Sequence, residues 1–292
     1  MATSALPVTY AAIFKLPRVP LVFASAMAGR FAYPLVGLPL LLAVEEATDS
    51  FSAAGVAAGA YGATAGFLAP ARARILDRFG RRRALFAFAA LFSLSLLALA
   101  LVTSKGASTL WCVTAAGIAG ALAPPLGPTM RVVWASLTPS SATLRKALSL
   151  DAVLEELLFL AGPALTGFIL LTVSPSAALI IPAVLIVAGT ALMVAAPGML
   201  TEIDTSPSNA KEAPTTGLLS EPRFLALLLP VLATGLVVGN LYVAVPALVG
   251  TVASTAAVGI VLASRSGFTD GVRALALEHP NVTLLNAADL LG

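Results

Sequence analysis

Charge is scarce in this chain. Only 11% of its 292 residues are Asp, Glu, Lys or Arg, where a soluble domain carries about 25%. Too little polar surface exists to coat a water-soluble globule of this length. Cysteine occurs once, at Cys112, which excludes an internal disulfide and any cysteine-cluster metal site. Cys112 lies in an apolar run and reads as a packed core thiol. Histidine also occurs once, at His279, ahead of Pro280 near an expected helix end, and reads as a surface residue rather than a catalyst. No phosphate-binding Gly-Lys-Ser/Thr loop and no serine-centred nucleophile motif is present, so neither ATP-driven work nor enzyme chemistry is expected, and no cofactor or metal.

What the chain has in excess is apolar length. Hydrophobic residues make up 59% of it and the mean hydropathy is +0.97. A membrane-spanning helix takes roughly 20 apolar residues. Candidate spans are residues 19–44, 51–69, 84–102, 108–136, 150–173, 177–197 and 223–249. Six spans (residues 1–197) are followed by a polar interruption, 198–222, rich in Ser, Thr, Pro and charge, which reads as a linker. The seventh span (223–250) comes next, and residues 251–292 form a tail of different character. Lys15 and Arg18 precede an apolar run, but Pro20 and Arg30 interrupt it, so a cleaved secretory signal is not expected.

The few charges are unevenly placed. Lys15 and Arg18 precede span one. Arg72, Arg74, Arg78, Arg81, Arg82 and Arg83 follow span two, Arg131, Arg145 and Lys146 surround the end of span four, and Lys211 lies in the linker. The alternate loops hold Glu45, Glu46 and Asp49, then only Lys105, then nothing. The positive-inside rule makes the N-terminus and the even-numbered loops cytoplasmic, so the expected location is the cell membrane, multi-pass.

Topology explains the arginines but not Asp77 and Gly80 in "ARILDRFGRRRAL", residues 73–85. This segment, between the second and third of six spans, resembles the loop signature of the major facilitator superfamily, Gly-x-x-x-Asp-Arg/Lys-x-Gly-Arg/Lys-Arg/Lys. Asp77, Arg78, Gly80, Arg81 and Arg82 match, and Ala73 stands where the first glycine usually is. The resemblance implies a conformational staple at the cytoplasmic helix ends, with Asp77 pairing with arginines. "LAGPALTG" in span five is similar to the Gly-Pro motif of antiporter-type members, carried by Gly162 and Pro163 and more loosely by Gly167. Glycines four apart (Gly55/Gly59, Gly62/Gly66, Gly235/Gly239) suit close helix packing in general. "GALAPPLGP", residues 120–128, should bend span four.

Charged residues inside the spans are the remaining candidates. Arg30 lies near the middle of span one, Arg131 in the last turns of span four, and Asp151, Glu155 and Glu156 in the first turns of span five. An unpaired charge at the bilayer centre costs roughly 2.5–3.5 kcal/mol. Asp151 and Glu155 share a face, and Glu156 is turned about 100° away. Span four descends where span five begins, so Arg131 is expected to pair with the acidic face and Arg30 to line a central cavity.

In the tail, "AAVGIVLASRS" suits a strand, Thr269 can cap a helix that stops at Pro280, and "NVTLLNAADLL" reads as a second strand. This segment resembles the end of Mrr-type restriction endonuclease domains through Gly267, Phe268, Thr269, Asp289 and Leu290. No Asp…Glu-x-Lys pattern precedes it, so cleavage and nucleic-acid binding are not expected.

The expected fold is therefore an all-α polytopic membrane protein. It comprises a six-helix major-facilitator-like bundle, a seventh helix and a short α/β tail. The resemblance implies secondary transport of a small solute, with proton-coupled efflux of drug-like molecules as one form. The partners are the substrate, protons and the lipid bilayer. Spans eight to twelve of that family have no candidates here, so a separate second half or a dimer partner is called for. The alternative is a non-transporting fragment or fusion whose soluble tail mediates an interaction.

Overall fold

The computed structural model describes residues 10–16, 18–196, the single positions 235, 237, 239, 244 and 248, and residues 260–264 and 282–286. The chain divides into two units, Met1–Leu218 and Leu219–Gly292.

The first unit is helical throughout its described residues. A short α1 (Tyr10–Phe14) precedes α2 (Val19–Arg30) and α3 (Gly37–Thr48), which are joined through a 3₁₀ turn, Tyr33–Leu35. Together α2 and α3 make one 30-residue span, Val19–Thr48. The next pair, α4 (Phe51–Phe67) and α5 (Ala69–Phe79), is bent by 48° at Leu68. Then come α6 (Arg81–Ser104), α7 (Thr109–Leu122), α8 (Leu126–Leu137), α9 (Ser141–Ile169), α10 (Pro175–Ala178) and α11 (Ile180–Ala195). Five of these segments are long and apolar enough to cross a bilayer, and α4 with α5 makes a sixth when the bent pair is counted as one span.

Local chemistry sets the helix starts. Ser50, Ser140 and Ser174 each accept a hydrogen bond from the backbone N–H three residues on, at 3.2, 3.2 and 3.4 Å. The Ser140 cap begins α9 about two and a half turns before its apolar run, a polar extension that hydropathy does not show. Proline sets the breaks. Pro34 has no N–H for the Arg30 carbonyl, Pro70 none for Gly66, and Pro124 and Pro125 none for Gly120 and Ala121. Spans one, two and four are each interrupted at these points.

Packing follows from small residues. α4 lies along α7, and both α2 and α6 lie along α11. A Cβ on Gly189 would strike the backbone of Gly29, one on Gly120 the carbonyl of Tyr61, and one on Gly162 the ring of Pro34. The glycines singled out by four-residue spacing behave differently. Gly59, Gly62 and Gly66 face open space, as do Gly167, Gly235 and Gly239. The buried core is aliphatic and aromatic, with Trp134 fully enclosed beside Phe23 at a ring separation of 5.2 Å. Leu94, Leu110, Trp111, Leu160 and Phe168 point outward, as lipid-facing side chains do. Cys112 is buried.

In the second unit, Gly235, Val237, Gly239, Ala244 and Leu248 are helical, within the seventh expected span. β1 (Ile260–Ser264) and β2 (Val282–Asn286) pair in parallel, with Ile260 opposite Val282 and Ser264 opposite Asn286. A parallel pair needs a crossover connection of a dozen or more residues, and the stretch between these strands is long enough. The expected helix of that crossover, with Gly267, Phe268 and Thr269, lies outside the described residues, as do the linker and Asp289-Leu290.

Candidate functional site

Two buried arginines organise the first unit. The first is Arg30, the last residue of α2, at the point where Pro34 opens the helix. Its side chain is 1% exposed. Nη1 donates to Oδ1 of Asp151 at 2.7 Å, and Nη2 forms an ion pair with the carboxylate of Glu155. Asp151 and Glu155 are one turn apart on α9, so a single guanidinium meets both. Asp151 is as buried as its partner, while the Glu155 side chain keeps 27% of its surface. Gly127 of α8 borders the cluster, its Cβ position 3.5 Å from Oε1 of Glu155 and 3.7 Å from Nη2 of Arg30. Two carboxylates against one cation leave the cluster with a net charge of −1.

This corrects the expected pairing. Arg131 is exposed on α8 and makes no ion pair among the described residues. Arg30, expected to line a cavity, takes the acidic face instead. The break in span one turns the C-terminal end of α2 toward α9, and Gly162 brings α9 against Pro34 in that break. Glu156 lies on the exposed side of α9, turned away from the cluster. Pro163 follows Gly162 inside the helix and does not end it.

The second arginine is Arg72, which the charge pattern placed among the loop cations. It is 6% exposed on α5. Its Nη1 donates to the carbonyls of Gly120 and Ala121, both at 3.2 Å, and its Nη2 donates to Ala65. Pro124 and Pro125 remove the N–H that the Gly120 and Ala121 carbonyls would each meet four residues on, and Gly120 also accepts from the Ala123 N–H at 3.3 Å. The guanidinium thus caps the C-terminal ends of α4 and α7 together, and the negative ends of two helix dipoles face it in place of a carboxylate. Tyr33, from the break in span one, donates its hydroxyl to the Pro124 carbonyl. Thr64 adds a bond from α4 to the Gly117 carbonyl of α7 at 2.8 Å. The breaks of spans one, two and four therefore meet at one place, fastened by Tyr33 and Arg72. The signal for Arg72 was present in sequence as a cation two residues beyond Pro70 and a proline doublet in span four.

The arginine-rich segment is more helical than a loop. α5 runs through Asp77, Arg78 and Phe79, and Gly80 alone, at φ 84°, reverses the chain into α6. Asp77 pairs with Arg81 across this turn at 3.5 Å, with the Asp77 side chain 67% exposed. Arg78 lies over the Phe79 ring, 5.5 Å from its centre. Arg74, Arg82 and Arg83 are exposed and form no ion pair among the described residues.

No group of His, Cys, Asp and Glu suited to a metal ion occurs among the described residues. Compared with protein families, residues 19–275 match the model of the Major Facilitator Superfamily, a match that runs past the seventh expected span and through β1. Among curated proteins and solved structures nothing matches the chain.

Proposed function

The chain belongs to the major facilitator superfamily, a multi-pass membrane transporter of small molecules, and from that we propose that it carries a small, drug-like solute outward in exchange for protons. The observation behind this reading is the Arg30–Asp151–Glu155 cluster, which ties span one to span five with one negative charge in excess. A buried net charge is costly, and a proton is the smallest ion that removes it. Asp151 is enclosed with Arg30, whereas Glu155 keeps some access, so Glu155 is the proton carrier. With Glu155 protonated, Arg30 and Asp151 form a neutral one-to-one pair and the second tie between α2 and α9 loosens. Loss of that proton restores the tie. This gives the bundle two states that differ by one proton, as a coupled carrier requires. Pro163 and Gly162 supply the flexible contact beside it. Asp77, Arg78, Gly80, Arg81 and Arg82 act as the staple that breaks and reforms at the helix ends, with the N-terminus and that turn on the cytoplasmic side of the cell membrane.

Transport of fluorescent cationic and neutral dyes by proteoliposomes under an imposed pH gradient tests this reading. Wild type is expected to accumulate a dye against its gradient, and Glu155→Gln is expected to exchange dye without responding to pH. A Glu155→Gln variant that still follows the pH gradient removes the proton role.

The parallel pair of β1 and β2 supports a second reading. A two-stranded parallel motif is foreign to a helical bundle in lipid, so residues 251–292 serve as a water-facing module for an interaction, and the membrane part anchors it. Failure of wild type to move any dye, with the tail retaining a partner from solution, favours this alternative.

A further inference from the structure

We infer that the groove between α5 and α6 seats an anionic phospholipid, with its phosphate on Arg83 and an acyl chain along the apolar floor. The groove is about 400 Å³ and is lined by Ile75, Phe79, Ala87, Phe88 and Leu91, with Arg83 at its edge. That volume falls within the range of ligand pockets, about 300–1,000 Å³. Its floor is apolar and open: Ile75, Phe79 and Leu91 are 40%, 62% and 47% exposed. The 48° bend at Leu68 swings α5 off the line of α4. The result is an amphipathic helix, with arginines beside exposed apolar residues, of the kind that lies at a bilayer surface.

Charge selects the occupant. Arg74, Arg82 and Arg83 make no ion pair among the described residues, and Arg78 rests on a ring rather than a carboxylate. Asp77 is the one acid in this stretch and is engaged by Arg81. The turn therefore has an unanswered positive charge directly above an apolar trough. A zwitterionic lipid fills the trough but brings its own cation to the arginines. A free phosphate meets the arginines but leaves the trough empty. Only an anionic lipid satisfies both, and basic clusters at the end of a spanning helix attract such lipids by about 1 kcal/mol for each Lys or Arg near the surface.

Native mass spectrometry of the purified full chain, with phosphatidylglycerol or phosphatidylcholine of identical acyl chains, provides the test. Wild type is expected to retain one phosphatidylglycerol in preference to phosphatidylcholine. Arg83→Gln should weaken retention about fivefold, the loss of one basic contact. Ala87→Trp, which fills the trough and leaves every arginine in place, should weaken it as well. Lys105→Gln, at the other end of α6, should retain lipid as wild type does. Both groove substitutions lie on the exposed surface and spare the core, and monodispersity in detergent checks folding. Equal retention of the two lipids, unchanged retention in both groove variants, or displacement of the lipid by millimolar inorganic phosphate alone would each overturn the inference.

Discussion

Removing the Arg30 side chain strands two carboxylates inside the bundle. Arg30 and Asp151 are each 2% exposed and joined at 2.7 Å, so neither has water to fall back on. Breaking a buried pair by truncating one partner costs about 3–5 kcal/mol, whereas replacing both by apolar groups is often near neutral. Arg30→Met is therefore expected to lose about 3–5 kcal/mol, and Asp151→Leu less, because Glu155 still faces the guanidinium. Arg30→Met combined with Asp151→Leu removes the stranded charge at Asp151 and leaves only Glu155, which keeps 27% of its side-chain surface exposed. The double variant should recover a large part of the loss, with a coupling energy of about 1–3 kcal/mol. The corresponding change in melting temperature in detergent is on the order of 10 °C for Arg30→Met, followed with a fluorescent fusion by size-exclusion chromatography after heating. Arg131→Met, on the exposed face of α8, should stay within about 0.5 kcal/mol of wild type. Strict additivity of Arg30→Met and Asp151→Leu, or a loss at Arg131→Met as large as at Arg30→Met, would refute the pairing.

Arg72→Met leaves the Ala65 and Ala121 carbonyls without their donor and should cost at least about 1–3 kcal/mol in the same assay. Arg74→Met, on the exposed side of the same helix, should change little, and equal effects would return Arg72 to the loop charges. Gly162→Ala drives a methyl into Pro34 and should destabilise by about 1–3 kcal/mol. Gly167→Ala, facing open space, should be neutral or slightly stabilising, so a reversed order of the two would reject the close contact. Asp77→Asn breaks an exposed pair worth at most about 1 kcal/mol, so expression should hold while transport per molecule falls. Unchanged transport would leave the turn with a topological role alone. On a Cys112→Ser background, an impermeant thiol reagent should label Glu46→Cys in intact cells and spare Arg82→Cys, and the reverse pattern would invert the orientation.

The apolar cores of the spans up to residue 195 could be read along the chain because lipid imposes a one-dimensional rule, whereas the polar first turns of α9 could not. A run of about 20 apolar residues must cross as a helix whatever its neighbours do. The break at Pro124-Pro125 was expected on the same ground, since proline removes a donor at its own position; those at Pro34 and Pro70 emerged only in the fold. Side-chain partners follow no such local rule. Arg131 lies far nearer in sequence to Asp151 and Glu155 than Arg30 does, yet Arg30, 121 residues from Asp151, holds them. The bend in span one and the contact of Gly162 with Pro34 bring those backbones together. Arg72 looked like one more cation in a basic stretch until α5 proved helical and turned it toward the last carbonyls of α7. Spacing alone likewise did not separate Gly162 and Gly189, where a Cβ would strike a neighbour, from Gly59, Gly62 and Gly66, where it would face open space. Burial in a bilayer depends on composition summed over a segment, whereas a contact depends on which faces of two helices meet, and only their packing decides that.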